Sequence, residues 1–133
     1  MSLPRQICLL LALLTAISPV RADQTDLVQA PKLVCNGSVF DFGSKASTNR
    51  VEHCFELKNE GSAQLDISHV RTGCGCTVAS LGTNIIDPGS STSLKIVMSL
   101  SGRSGQQRKS IYIQSNDPSD PLHQLEMRGY VFP

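Results

Sequence analysis

Apolar residues recur at every second position along most of this chain, and nowhere do they keep helical spacing for as long as three turns. Val51, His53, Phe55 and Leu57 alternate with Glu52, Cys54, Glu56 and Lys58. Leu94, Ile96, Met98 and Leu100 alternate with Lys95, Val97 and Ser99, and His123, Leu125, Met127, Gly129 and Val131 share one parity. Successive side chains of a strand point to opposite faces, so each segment has one face for a core and one for water. Turn residues separate the segments: Asn59-Glu60-Gly61-Ser62, Asp87-Pro88-Gly89, the polar stretch Ser101 to Gln107, and Ser115 to Pro121. Val39, Phe40 and Phe42, then Leu65 and Ile67, Thr77 to Leu81, and Ile111 and Ile113 supply the remaining strands. About seven strands at roughly 8–12 residue spacing predict an all-β fold, an antiparallel two-sheet β-sandwich. No linker or internal repeat divides residues 23–133, which therefore form a single domain.

The first 22 residues do not fit the alternation. Arg5, the apolar run Ile7 to Ile17 and the small-residue pattern Val20-Arg21-Ala22 read as a secretory signal peptide cleaved after Ala22. The apolar run covers about half a bilayer and is followed by Ser18 and Pro19, so no membrane span is expected after cleavage. The expected location is the periplasm or the extracellular space. Loss of Arg5 and Arg21 leaves 10 basic against 11 acidic residues. A chain so close to neutral, without a basic cluster, has no electrostatic footprint for nucleic acid.

Export also explains the cysteine count. Removal of Cys8 turns five into four, Cys35, Cys54, Cys74 and Cys76, and paired cysteines are the rule in oxidising compartments. Four cysteines allow three connectivities. Placing Cys35 and Cys54 across a first hairpin with its turn near Gly43 to Asn49 gives them the same facing, so Cys35 with Cys54 and Cys74 with Cys76 rank first, crossed pairings second. A Cys74–Cys76 bond requires a turn at Gly75, because extended i, i+2 side chains lie too far apart for a disulfide.

Taken together, Phe40-Asp41-Phe42-Gly43, His53-Cys54-Phe55-Glu56-Leu57-Lys58-Asn59-Glu60-Gly61, Cys74-Gly75-Cys76-Thr77, Asp87-Pro88-Gly89 and Ser115-Asn116-Asp117-Pro118 resemble the secreted bacterial family known as domain of unknown function 1573. The resemblance covers nearly all of residues 23–133. That family is similar to the immunoglobulin-like sandwiches of the major sperm protein, PapD and Hydin groups, which implies the same fold and no established activity. Cys35 and Cys54 depart from the usual family pattern.

One motif concentrates chemistry. In Gly73-Cys74-Gly75-Cys76-Thr77 two thiols stand one residue apart, a spacing suited to a soft metal such as Cu(I), to Zn, or to a redox dithiol. His69 is the candidate third metal ligand, with Met98 and Met127 more remote, and Arg71 is the local positive charge that a poised thiolate would need. His53 reads as a core-edge histidine satisfied by backbone, and Asn116, Asp117 and Asp120 as a turn cluster, since the Gly and distal Glu of a calcium loop are missing. Asn36-Gly37-Ser38 reads as a plain turn. The leading expectation is therefore a non-enzymatic exported module that needs no cofactor and binds a protein or cell-envelope component through a sheet edge or loop. The alternative is a soft-metal or thiol-redox protein built on Cys74 and Cys76.

Overall fold

The computed structural model describes Ser18 and residues 28–133; apart from Ser18, the expected leader lies outside the described residues. Among the described residues nine strands follow in chain order: β1 (Leu33–Cys35), β2 (Val39–Ala46), β3 (Arg50–Asn59), β4 (Leu65–Thr72), β5 (Thr77–Leu81), β6 (Ile85–Ile86), β7 (Ser91–Ser99), β8 (Gly105–Ser115) and β9 (Leu122–Phe132). They form two sheets, one ordered β1-β3-β7-β5 and the other β2-β9-β8-β4-β6. The seven expected strands are all present, and the fold is the expected sandwich. The two additions, β1 and β6, are three and two residues long, too short for alternation to reveal.

The alternation has the predicted facing. Leu57, Leu94, Ile96, Met98, Ile111, Ile113, Leu125, Met127 and Val131 have no exposed surface, while Glu52, Glu56, Lys95 and Arg128 point to water. Each fully buried aliphatic side chain contributes roughly 1.5–3 kcal/mol. Met98 and Met127, proposed as remote ligands, are core-filling residues.

Two buried polar side chains fix how the chain ends meet this core. Asn59, fully buried, accepts hydrogen bonds at Oδ1 from the N–H groups of Lys32 (3.2 Å) and Gly61 (3.0 Å) and donates from Nδ2 to the carbonyls of Ala63 (2.8 Å) and Ile86 (2.9 Å). Ile86 belongs to the opposite sheet, so Asn59 bolts the two layers together. Asp117 accepts from the N–H groups of Leu33 (2.9 Å) and Ser119 (2.8 Å), which ties the last turn to β1. The turn-cluster reading of Asn116 and Asp117 holds for a definite reason: their side chains satisfy backbone groups of Asp66, Leu33 and Ser119.

One expectation fails at the start of the chain. β2 and β3 are not a hairpin: β2 pairs parallel with β9, and β3 pairs with β1 and β7. The Asn36-Gly37-Ser38 turn, with Gly37 at φ 76°, carries the chain from one sheet to the other, so β1 and β2 lie in different layers. The predicted Cys35–Cys54 pairing falls with that hairpin. Cys35 stands opposite Leu57 and so shares the inner face, whereas Cys54 stands opposite Lys95 on the outer face, and neither is bonded to another cysteine among the described residues.

Candidate functional site

β4 ends in the five-stranded sheet at Thr72 and β5 begins in the four-stranded sheet at Thr77, so Gly73-Cys74-Gly75-Cys76 is the crossing between layers. Three hydrogen bonds to backbone carbonyls hold it, and within it the Cys76 N–H donates to Cys74 Sγ (3.2 Å). Thr72 Oγ1 donates to the Thr77 carbonyl (3.1 Å), the Thr77 N–H to the Cys74 carbonyl (3.3 Å), and the Ser99 N–H to the Cys76 carbonyl (2.9 Å). The crossing bends at Gly75 as required, bringing the two Cα atoms to 5.4 Å, inside the disulfide range. Cys74 and Cys76 are joined by a disulfide and both are only half-buried.

A cation rests on this pair, and it is not Arg71. Arg103, from the loop between β7 and β8, places Nη2 at 2.8 Å from Cys76 Sγ and 3.2 Å from Cys74 Sγ. Its Nη1 donates to Gln107 Oε1 (3.4 Å), and Gln107 Nε2 donates to the Ser104 carbonyl (3.0 Å). Glycines at positive φ on either side, Gly102 (73°) and Gly105 (79°), turn this loop back on itself. Arg103 Nε is buried without a hydrogen-bond partner, and among the described residues no carboxylate pairs with the guanidinium. A buried guanidinium N–H without a partner is costly, and disulfide sulfur is a weak acceptor. The Nη2 contact strengthens once either sulfur becomes a thiolate, since the hydrogen bond is then charge-assisted.

The bend at Gly75 does not itself demand glycine. Neither Gly73 nor Gly75 has positive φ, and a Cβ built on Gly75 meets nothing within 4 Å. Neither position demands glycine on conformational or steric grounds: a Cβ at Gly73 would make only ordinary contact with the Ser110 carbonyl at 3.8 Å. Gly61 and Gly129 contrast with them, because a Cβ there would collide with the Ala30–Lys32 backbone and with the Phe42 ring.

The remaining candidates scatter. His69 lies on β4 opposite Gln114, and Arg71 opposite Tyr112; neither donates to the sulfurs. Among the described residues no three His, Cys, Asp or Glu side chains gather to hold a metal ion, so the Cys74, Cys76 and His69 set is not assembled. His53 is inward-facing as expected but is held by rings instead of backbone: it stacks on Phe40 at 3.7 Å between centroids and meets Phe55 edge-on at 4.6 Å. Burial there lowers its pKa. Burial first, then the Glu56 carboxylate, push the Cys35 thiol above its ordinary range. Arg103 escaped the sequence reading because it stands 27 residues from Cys76; its flanking glycines were the available signal.

With the geometry in place, the comparisons bear on identity. Residues 33–131 match the model of a family described as protein of unknown function (DUF1573). The chain belongs to that family. No curated protein matches it. A protein of unknown function from Porphyromonas gingivalis W83 is similar in structure, with TM-score 0.68 and 23% identity over 77% of this chain and 47% of that one, so the chain spans about half of that relative. PapD-like domain 7 of human CEP192 gives TM-score 0.62 at 11% identity, covering 77% of this chain and 87% of that domain. SSP-19, an MSP-domain protein of Caenorhabditis elegans, gives 0.50 at 9% identity over 75% and 99%. These likenesses establish the sandwich fold of this DUF1573 chain, and the family carries no assigned activity.

Proposed function

We propose that this chain is an exported immunoglobulin-like module whose working group is the Cys74–Cys76 pair, exchanging electrons with thiols of other exported polypeptides. The observation that supports it is the Arg103 guanidinium laid on both sulfurs, with no carboxylate among the described residues to neutralise it. In the reaction a client thiolate attacks one sulfur, the Cys74–Cys76 bond breaks, and the other cysteine leaves as a thiolate facing Arg103. The client's second thiol loses its proton to solvent and attacks the mixed disulfide. The client becomes a disulfide and the pair a dithiol, two electrons having passed to the protein. A cation that stabilises the reduced, thiolate form makes such a pair more oxidising.

The test is exchange with a reduced peptide dithiol, followed by acid trapping, alkylation and intact mass. Two newly alkylated cysteines are expected in the native chain and none in Cys74→Ser, with the fold unchanged by circular dichroism. A Cys74→Ser chain that unfolds, together with a native pair inert to the peptide, would make the cysteines a staple and sink the reading.

A second reading, a non-enzymatic module that binds a protein or envelope component by strand addition, is favoured by one feature. β5 is an edge strand with no charge, proline or bulge to blunt it, and Val78 on it is 63% exposed. Substituting Val78 with Lys should abolish recovery of a partner from an envelope fraction while leaving thiol exchange intact; equal recovery by both chains removes β5 from consideration.

A further inference from the structure

The five-stranded sheet carries a second polar concentration on its outer face. In the β8–β9 ladder Arg108 stands directly opposite Arg128, and Gln106 opposite Tyr130. Like charges in directly opposed positions destabilise a sheet, and a chain of net charge +1 has no general excess of cations to spread. Two carboxylates approach the pair, but incompletely. Glu126 Oε1 lies 3.1 Å from Arg108 Nε, an ion pair without hydrogen-bond alignment, and Asp41 Oδ2 lies 3.7 Å from Arg128 Nε. No hydrogen bond among the described residues uses an N–H of either guanidinium, so both terminal forks remain free to bind an oxyanion bidentately.

The edge strand beside them is shaped to admit a ligand. The pairing of β2 with β9 shifts register between Asp41 and Ser44, with Gly43 at φ 70°, and a depression of about 340 Å³ lies at this bulge, lined by Ser44, Gln106, Arg108, Arg128 and Tyr130, with the Asp41 carboxylate at its wall beside Arg128. That volume is at the small end of ligand pockets and holds one or two sugar rings. Tyr130, 46% exposed, offers a ring face against which the C–H face of a sugar can pack, and Ser44 and Gln106 supply donors and acceptors for hydroxyl groups.

We infer that this depression binds an acidic saccharide, a sugar ring bearing a carboxylate or similar oxyanion, held by Arg108 and Arg128 and packed on Tyr130. The site is separate from the cysteine pair and does not depend on it. Chemical-shift titration of the full chain with digalacturonate, cellobiose and inorganic phosphate tests it. Digalacturonate should move the amides of Ser44, Gln106, Arg128 and Tyr130 and saturate in the ~mM range or tighter, cellobiose should bind at least about tenfold more weakly, and phosphate should be weak. Arg108→Gln with Arg128→Gln, and separately Tyr130→Ala, should each weaken digalacturonate about tenfold or more, while Cys74→Ser should bind as the native chain does. Phosphate binding as tightly as digalacturonate would overturn the saccharide assignment, and no shift with any of the three would overturn the site.

Discussion

Replacing Arg103 with Gln removes the charge facing the cysteine pair while keeping a side chain able to donate a hydrogen bond. In the native chain Nη2 lies 2.8 and 3.2 Å from the two sulfurs, so a thiolate formed at either position receives a charge-assisted hydrogen bond. Such bonds contribute about 1.5–3 kcal/mol; at a half-buried site open to water the lower figure applies. About 1.4 kcal/mol corresponds to one pKa unit and to 30 mV for a two-electron couple. The variant should therefore have a thiol pKa higher by about one unit and a reduction potential more negative by ~30 mV. Glutathione redox titration with alkylation and mass readout measures the potential, and the pH dependence of iodoacetamide labelling of the reduced protein measures the thiol. Arg103→Lys should recover part of both shifts, since the charge returns without the planar fork. If Gln leaves potential and pKa within error of the native values, Arg103 merely fills space beside the sulfurs, and the redox reading loses its support.

Three further outcomes follow from the same geometry. In the folded protein Cys54, exposed on the outer face of β3, should alkylate rapidly, and Cys35, whose thiol is held protonated, slowly; equal rates, or a peptide map joining the two, would contradict the register. Because burial lowers the His53 pKa, the unfolded chain binds more protons just below its ordinary value of about 6.5, so this residue's contribution is complete above that pH and is lost as pH falls toward the depressed folded value. Denaturant unfolding at about pH 5 and about pH 8 should show the loss, and His53→Phe should reduce it; an unchanged slope removes His53 as the cause. Asn59→Ala leaves two N–H groups and two carbonyls without their partner and should cost about 3 kcal/mol or more in urea unfolding, whereas a loss below about 1 kcal/mol would mean that water replaces the side chain.

The sandwich was legible because strand parity is a local property. Leu94, Ile96 and Met98 must share a face whatever they pair with, and turns such as Asp87-Pro88-Gly89 stop a strand by their own chemistry. Pairing is not local, which is why Cys35 and Cys54 were placed on one face. Their relation depends on β1 and β2 lying in different sheets, a fact decided by pairing partners far along the chain: β1 takes β3, with Leu33 opposite Asn59, and β2 takes β9, with Val39 opposite Glu126. The site divides in the same way. Cys74 and Cys76 announce themselves by spacing, but the cation that gives them chemistry arrives from the third inter-sheet connection further on, where no spacing rule points to it. Arg71 was close in sequence, yet strand geometry directs it opposite Tyr112.

The glycines of the motif separate a structural from a chemical reading of the crossing. If Gly73-Cys74-Gly75-Cys76 served the fold alone, its glycines would occupy positions that only glycine can fill, as Gly61 and Gly129 do. Gly75 instead has an ordinary φ and open space where a Cβ would be. Gly75→Ala should therefore leave stability within about 0.5 kcal/mol of native, with any change on the favourable side because the unfolded chain loses freedom. Gly61→Ala, forced against the Ala30–Lys32 backbone, should cost several times as much. Thiol exchange should respond in the opposite order. A methyl group at 75 narrows the approach of a client thiolate to either sulfur and should slow exchange several-fold, while Gly61→Ala, far from the sulfurs, should leave the rate per folded molecule unchanged. Urea unfolding and exchange kinetics on the two variants decide it: a Gly75→Ala chain that is destabilised but exchanges at the native rate would return the motif to the fold, and the cysteines with it.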